Sequence, residues 1–352
     1  MPRSTSRSAA VRRAVPVLRA PWRAVPALLA ALLVVAGCAA PNRASASSDK
    51  VRLVIPTTAI SWLLPGVARQ TGAFGRHGLS VQLTVAGSGP LAVQAVTSGS
   101  ADVGLDVLNL TLQAAGQGRD LVNFGKVFNQ WDGQLVVSEK VARQRGLSSG
   151  SDPGAVFGGL KGLTLAVVGP GTGDDALLRA ELRDAGLTPD KDVRITPIKD
   201  TQATVAALST GRIDGFLRAS PVPQLALRRG GATTLFDFGA NDTQGLFAGV
   251  LFADRRWLST HRDTAKRLVA ALSEAAAFVR SHPEQGADAV RSAYTGLPDE
   301  VFGQALASAL RLADDHVAAI SEQDFRTNLR YVQPASAAGG LRYDRVVDNS
   351  LL

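Results

Sequence analysis

Sulfur and imidazole are scarce in this chain: 352 residues hold one cysteine, one methionine and four histidines. The only cysteine, Cys38, leaves no partner for an internal disulfide, no thiolate zinc site and no cysteine nucleophile in the folded part. His77, His261, His282 and His316 are scattered without metal-ligand spacing, so no metal is expected. The one Gly-x-Ser-x-Gly match, Gly146-Leu147-Ser148-Ser149-Gly150, falls in a Gly- and Ser-rich stretch and not at a strand-to-helix turn, so it reads as no nucleophile elbow, and the carboxylates form no defensible catalytic pair. Acidic residues are missing before Cys38, where six arginines stand: Arg3, Arg7, Arg12, Arg13, Arg19 and Arg23. With those set aside, the 38 basic residues fall to near balance with the 30 acidic ones, which predicts no nucleic-acid partner. Hydrolysis and redox work are therefore not expected, nor is a cofactor.

What is present suits a packed globular protein. Hydrophobic residues make up 45% and charged residues 19%, enough for two lobes of ordinary domain size. The arginine-rich start ends at Arg23, and residues 24–37 carry no charge. That stretch is too short for a membrane-spanning helix and suits a signal-peptide core. It ends Val35-Ala36-Gly37-Cys38, which resembles the bacterial lipobox with Val35 in the usual leucine place. The resemblance implies cleavage before Cys38 and lipidation of Cys38, whose acyl chains then hold the protein at a membrane surface. Residues 1–37 thus read as a lipoprotein signal peptide and 38–50 as a lipidated tether. The Arg12-Arg13 pair leaves the general and twin-arginine export routes both open.

From residue 51 onward the pattern alternates between strand and helix, which argues for α/β layers on mainly parallel sheets. Strands are expected over 51–56, 79–86 and 101–105, with helices over 61–71 and 90–98. Shifting the chain by 112 residues lays this pattern on itself. Ala95-Val96-Thr97-Ser98-Gly99-Ser100-Ala101-Asp102 falls on Ala207-Leu208-Ser209-Thr210-Gly211-Arg212-Ile213-Asp214. A helix end, its terminating glycine and an aspartate recur at one spacing. The expected fold class is α/β, two doubly wound lobes joined by a hinge. Lobe 1 takes residues 51–137 and 246–352, and lobe 2 takes 138–245. The chain is expected to cross between lobes within 136–159 and to return within 238–245. A capping-box pattern, Thr260-x-x-Asp263, opens a helix with Leu268, Leu272, Ala275 and Val279 at helical spacing. Further helices are expected over 283–293 and 299–312.

Open parallel sheets bind ligands beyond the carboxyl ends of their strands. The repeat names those loops in pairs: 57–62 with 169–174, 87–90 with 199–202, and 106–109 with 218–221. Candidate contacts follow from them. Ser61 and Trp62 close the first loop, where an indole stacks on a flat ligand. Ser88 between Gly87 and Gly89 offers a hydroxyl and open backbone, or simply a tight turn. Asp106 and Arg218 hold equivalent places with opposite charge, with Asn109 as an amide contact beside the first. Trp131 is placed on the floor of the cleft, and Trp257, at a helix start, reads as structural. Gly171, Thr172 and Gly173 present backbone N–H groups at a helix start, suited to an oxyanion. A capping box of Thr172 and Asp175 is the competing reading, and Asp174 and Asp175 repel an anion.

Several segments together resemble the substrate-binding proteins of nitrate, sulfonate, taurine and thiamine-precursor importers. They are the lipobox, Gly66-Val67-Ala68-Arg69-Gln70-Thr71-Gly72-Ala73-Phe74 with His77-Gly78-Leu79, Ser98-Gly99-Ser100-Ala101-Asp102-Val103-Gly104, and Leu160-Lys161-Gly162-Leu163-Thr164-Leu165-Ala166. The closing Val346-Val347-Asp348-Asn349-Ser350-Leu351-Leu352 is similar too, so the resemblance covers about residues 51–352. It implies a type II periplasmic binding protein, a monomeric clamp outside the membrane that closes on a small organic molecule or oxyanion. The ligand would be sulfonate-, nitrate- or thiamine-precursor-like, and the partners an ABC permease and ATPase. Two alternatives stay open. One is a ligand-sensing receptor for a signalling partner. The other is an enzyme resembling the thiamine-pyrimidine synthase, which needs a histidine and cysteines around iron that this chain lacks beyond Cys38.

Overall fold

The computed structural model describes residues 49–241, 243 and 245–352. The expected signal peptide over 1–37, the expected tether as far as residue 48 and the expected lipidation of Cys38 lie outside the described residues.

Runs of valine, leucine and isoleucine form the strands. In chain order these are β1 (Asp49–Ile55), β2 (Leu79–Val85), β3 (Val103–Val107), β4 (Leu121–Phe128), β5 (Gln134–Ser138), β6 (Thr164–Val167), β7 (Arg194–Pro197), β8 (Gly215–Arg218), β9 (Ala232–Asp237) and β10 (Gly249–Asp254). They make two five-stranded sheets, ordered β2-β1-β3-β10-β4 and β7-β6-β8-β5-β9. In the first, β1 runs parallel to β2 and β3, while β10 lies antiparallel between β3 and β4. In the second, β6 runs parallel to β7 and β8, while β5 lies antiparallel between β8 and β9. Strands covered on both faces read as continuous apolar runs rather than alternating ones. β3 is buried at every residue for that reason.

The two sheets share one plan, and the 112-residue shift is visible in it. Helices Gly89–Thr97 and Thr201–Ser209 stand at that offset. Gly99 and Gly211 follow them at φ 74° and 71°, a left-handed turn that side chains resist. The aspartates just beyond make the same bond. Asp102 accepts the Arg52 N–H at 2.8 Å, and Asp214 accepts the Thr164 N–H at 2.8 Å. Each ties the end of a helix–turn unit to the equivalent strand of its own sheet, β1 or β6.

Several boundaries differ from the sequence expectation. The tether does not reach residue 50, because β1 begins at Asp49, which pairs with Leu79 and accepts from the Thr264 hydroxyl at 2.7 Å. The lobe boundary at 137/138 falls inside β5, which belongs wholly to the second sheet. Leu135, Val136 and Val137 are fully buried and need strands on both sides, so the crossing occurs over 129–133. The Gly- and Ser-rich stretch expected to cross instead carries the short helix Pro153–Gly158 within the second lobe. β3 runs two residues later than read, which puts Asp106 inside the strand rather than past it.

The C-terminal helices belong with the first sheet. The Thr260–Asp263 capping box does not form: the Thr260 hydroxyl donates back to the Arg256 carbonyl at 3.1 Å, inside a helix capped by Asp254. Helix Arg262–Ser281 follows, with Leu268, Leu272, Ala275 and Val279 all buried as its spacing predicts. Helix Asp299–Leu312 stands where it was read, and Pro283–Arg291 stops two residues earlier than expected. A buried ion pair, Lys126 to Asp324 at 3.0 Å, fastens helix Glu322–Leu329 to β4. Among the described residues no helix is long and apolar enough to cross a membrane.

Candidate functional site

The carboxyl ends of β1, β3, β6 and β8 meet around one cavity of about 400 Å³, a size suited to a small molecule. All three loop pairs named by the repeat contribute to its wall. The first sheet supplies Thr57, Thr58, Trp62, Gly87, Gly89, Asp106 and Val107. The second supplies Thr172, Gly173, Asp174, Lys199, Thr201, Gln202 and the run 218–221. Trp131 and Phe247 come from the two crossings between sheets, and Tyr294 and Leu297 from the turn after helix Pro283–Arg291. The lobes approach closely at one point, where a Cβ on Gly173 would lie 3.2 Å from Val107.

Of the residues singled out from sequence, Trp62, Gly87, Asp106, Trp131, Thr172, Gly173 and Arg218 line this wall. Ser61, Ser88, Asn109 and Gly171 do not. The Ser61 hydroxyl turns to Asp132 at 3.5 Å. Ser88 is buried at the start of helix Gly89–Thr97, its carbonyl accepting the Ala92 N–H. Asn109 is fully buried in helix Leu108–Gly116, and neither of its amide atoms finds a partner among the described residues. Gly171 occupies a left-handed turn at φ 74° and gives its N–H to the Asp175 carboxylate at 2.8 Å.

The loop over 169–174 answers whether an oxyanion would be held there. Thr172 stands at the N-cap of helix Gly173–Asp184, yet its hydroxyl donates to the Gly169 carbonyl at 2.6 Å instead of accepting. The Thr172–Asp175 capping box is therefore replaced by a different closure. Asp174 accepts the Val168 N–H at 2.6 Å and Asp175 that of Gly171. The protein's own carboxylates thus take the Gly171 N–H, one of the donors an anion would use, and the Val168 N–H just before the loop.

Arg218 is buried and turned into its own lobe. It donates to the Ile198 carbonyl at 2.7 Å, the Thr204 hydroxyl at 3.0 Å and the Lys199 carbonyl at 3.2 Å. Burial pulls its pKa down, against the pull of the Asp174 and Asp200 charges. Burial likewise pushes Asp174 up, opposed first by Arg218. These two wall charges compensate each other.

Asp106 differs. It is 2% exposed, its Oδ1 accepts the Val107 N–H at 2.8 Å, and its Oδ2 has no partner among the described residues. Burial raises its pKa to about 7, with only the Val107 bond opposing. Both carboxylate oxygens face Gly89, where a Cβ would sit 2.9 Å from each. Glycine at 89 is what lets the helix start close over the acid.

The aromatic groups form the floor. Trp62 packs on Phe128 with ring centres 4.9 Å apart, and Trp131 lies 6.4 Å from both Phe238 and Phe247. Gly133 permits this, because a Cβ there would lie 1.8 Å from the Trp131 ring. Trp257 stacks on His261 at 4.8 Å, apart from the cavity. Between the lobes stands Asp132, buried, accepting from Ser61 on one side and from the Ser220 N–H at 3.3 Å on the other.

Sequence reasoning marked the loops of Thr57, Lys199 and Gln202 without naming those residues. Phe247 was not among the residues singled out. Nothing local pointed to Tyr294 or Leu297, which reach the cavity through the packing of distant helices.

Comparison with known proteins agrees with this architecture. The model of the NMT1-like family matches residues 50–293. A protein of Brucella abortus (strain 2308), named as a binding protein, is 28% identical over 229 residues, 64% of this chain. The match spans 65% of that relative's length, less than two thirds of it. A solved structure from Bordetella bronchiseptica RB50 superposes with a TM-score of 0.72 at 23% identity, covering 87% of this chain and 96% of that one. The periplasmic aliphatic sulphonate binding protein SsuA of Escherichia coli does so with a TM-score of 0.63 at 22% identity, over 81% and 90%. At these identities the likeness shows the fold, the paired α/β lobes of periplasmic binding proteins.

Proposed function

The chain belongs to the NMT1-like family, and we propose that it is the extracytoplasmic solute-binding component of an ABC importer. It captures a small molecule between its lobes without altering it and hands it to a permease. The observation that carries this reading is the single cavity walled by equivalent loops of both lobes. A site split between two bodies joined by two crossings is suited to closing on a guest. Trp62, Gly87, Asp106, Trp131, Thr172, Gly173 and Arg218 are the proposed contacts. Cleavage before Cys38 and lipidation of its thiol would keep the clamp beside the permease, as one monomer per anchor.

The test has two parts. Purified protein is screened by thermal shift against amines, sulfonates, nitrate and pyrimidines. A ligand at 100-fold its Kd stabilises by about 2.7 kcal/mol. A hit should also shrink the radius of gyration in small-angle scattering. Deleting the gene should then abolish uptake of that compound, and Cys38→Ala should release the protein from membranes. Normal uptake after deletion would refute the transport role.

A further inference from the structure

Four charged residues meet the cavity, and they are not equivalent. Arg218 and Asp174 offset each other, and Arg218 already serves two carbonyls and a hydroxyl. Lys199 is exposed on the wall. Asp106 stands alone. No cation contributes to its environment, one oxygen is bound only by the adjacent Val107 N–H, and the other has no partner among the described residues. A carboxylate 98% removed from water and facing a cavity requires a donor, because an unsatisfied buried charge is costly. Apolar groups share its wall: Leu110, which lies beside Gly89, with Trp62, Tyr294 and Leu297. On the second lobe, the loop donors an oxyanion would use are partly taken by Asp174 and Asp175.

Resting on the reading of this chain as a solute-binding protein, we propose that its ligand is an organic amine: a cationic N–H group bonded to Asp106 Oδ2, carried on an apolar or aromatic body. Asp106 is the specificity-determining residue. The ammonium supplies the missing donor and the missing positive charge together, and the apolar walls take the remainder. An anionic ligand would meet Asp106 across the cavity as an uncompensated like charge.

The experiment uses three probes of one shape on the purified protein: phenethylamine, 2-phenylethanol and 2-phenylethanesulfonate, by calorimetry at pH 8. The amine should bind roughly 10- to 100-fold more tightly than the alcohol, the range expected for a buried charged hydrogen bond. The sulfonate should bind more weakly still. Asp106→Asn should abolish the preference for amine over alcohol while retaining affinity for the alcohol. The comparison on the native protein stands even if that variant fails to fold. Tighter binding of the sulfonate, or equal binding of amine and alcohol, overturns the role of Asp106 and leaves solute capture intact. Failure of all three to bind, together with no hit in the wider screen, overturns both.

Discussion

Asp132 accepts the Ser220 N–H at 3.3 Å from within the first crossing between the sheets, so a carboxylate in the hinge holds the far lobe by its backbone. Its other oxygen meets the Ser61 hydroxyl of the near lobe at 3.5 Å. Breaking this tie with Asp132→Ala should lower stability by about 1–3 kcal/mol, the cost of stranding buried donors. It should also widen the unliganded protein in small-angle scattering, although Asp132 is not on the cavity wall. A variant melting below native with an unchanged radius of gyration would assign Asp132 to packing alone.

The raised pKa of Asp106 has a defined consequence for stability. Below about pH 3 the acid is protonated in both folded and unfolded chains and costs almost nothing. As pH rises towards 7 the unfolded chain ionises while the buried acid keeps its proton, so stability falls; above about 7 the loss is complete. Asp106→Asn should therefore stabilise the unliganded protein at pH 8 by up to about 4 kcal/mol, and by almost nothing at pH 3. Urea midpoints at the two pH values decide it. An equal change at both would mean that ionisation at 106 is not responsible.

The Lys126–Asp324 pair is buried on both sides, with side chains 11% and 8% exposed. Asp324→Ala leaves an ammonium without its counter-charge and should cost about 3–5 kcal/mol. Replacing both partners, Lys126→Met with Asp324→Leu, should cost much less. Asp324 also accepts the Ser321 N–H at 2.8 Å in a capping box, so some loss should remain in the double variant. Chemical denaturation of the two variants compares the losses.

Leu272 sits fully buried in the apolar stripe of helix Arg262–Ser281. Leu272→Ala should destabilise by about 2–5 kcal/mol through lost contacts and the cavity left behind. Ligand affinity should be unchanged, since the residue is remote from the wall. A large fall in affinity at unchanged melting temperature would contradict that placement.

Much of this architecture could be read from residue order because it is written twice. The glycine and aspartate that end each helix–turn unit recur at fixed offset, and so do the loops that end at the cavity. The crossing was misplaced because Gly and Ser mark loops without saying which sheet the flanking strands join. Leu135-Val136-Val137 looks the same as an edge or a centre strand, and only its long-range pairing with β8 and β9 decides. The loop over 169–174 was ambiguous for a related reason. A helix start rich in glycine and aspartate serves an anion or itself, and the turn of the Thr172 hydroxyl onto the Gly169 carbonyl is not written in the local residue order. Tyr294 was invisible because its approach depends on how the C-terminal helices lie on the first sheet.

The exchange of inner strands bears on how the chain is made. As the ribosome releases it, β4 emerges with no neighbour to hold it, since among the described residues its strand partner is β10 and its isolated bridges reach Ala318 and Val347, all later in the chain. The leading half must therefore wait, incompletely assembled, until residues 249–254 follow the trailing half out of the tunnel. During that interval an unpaired β4 needs shielding from other nascent chains, and a truncation that stops before residue 249 should aggregate rather than yield an independent leading lobe.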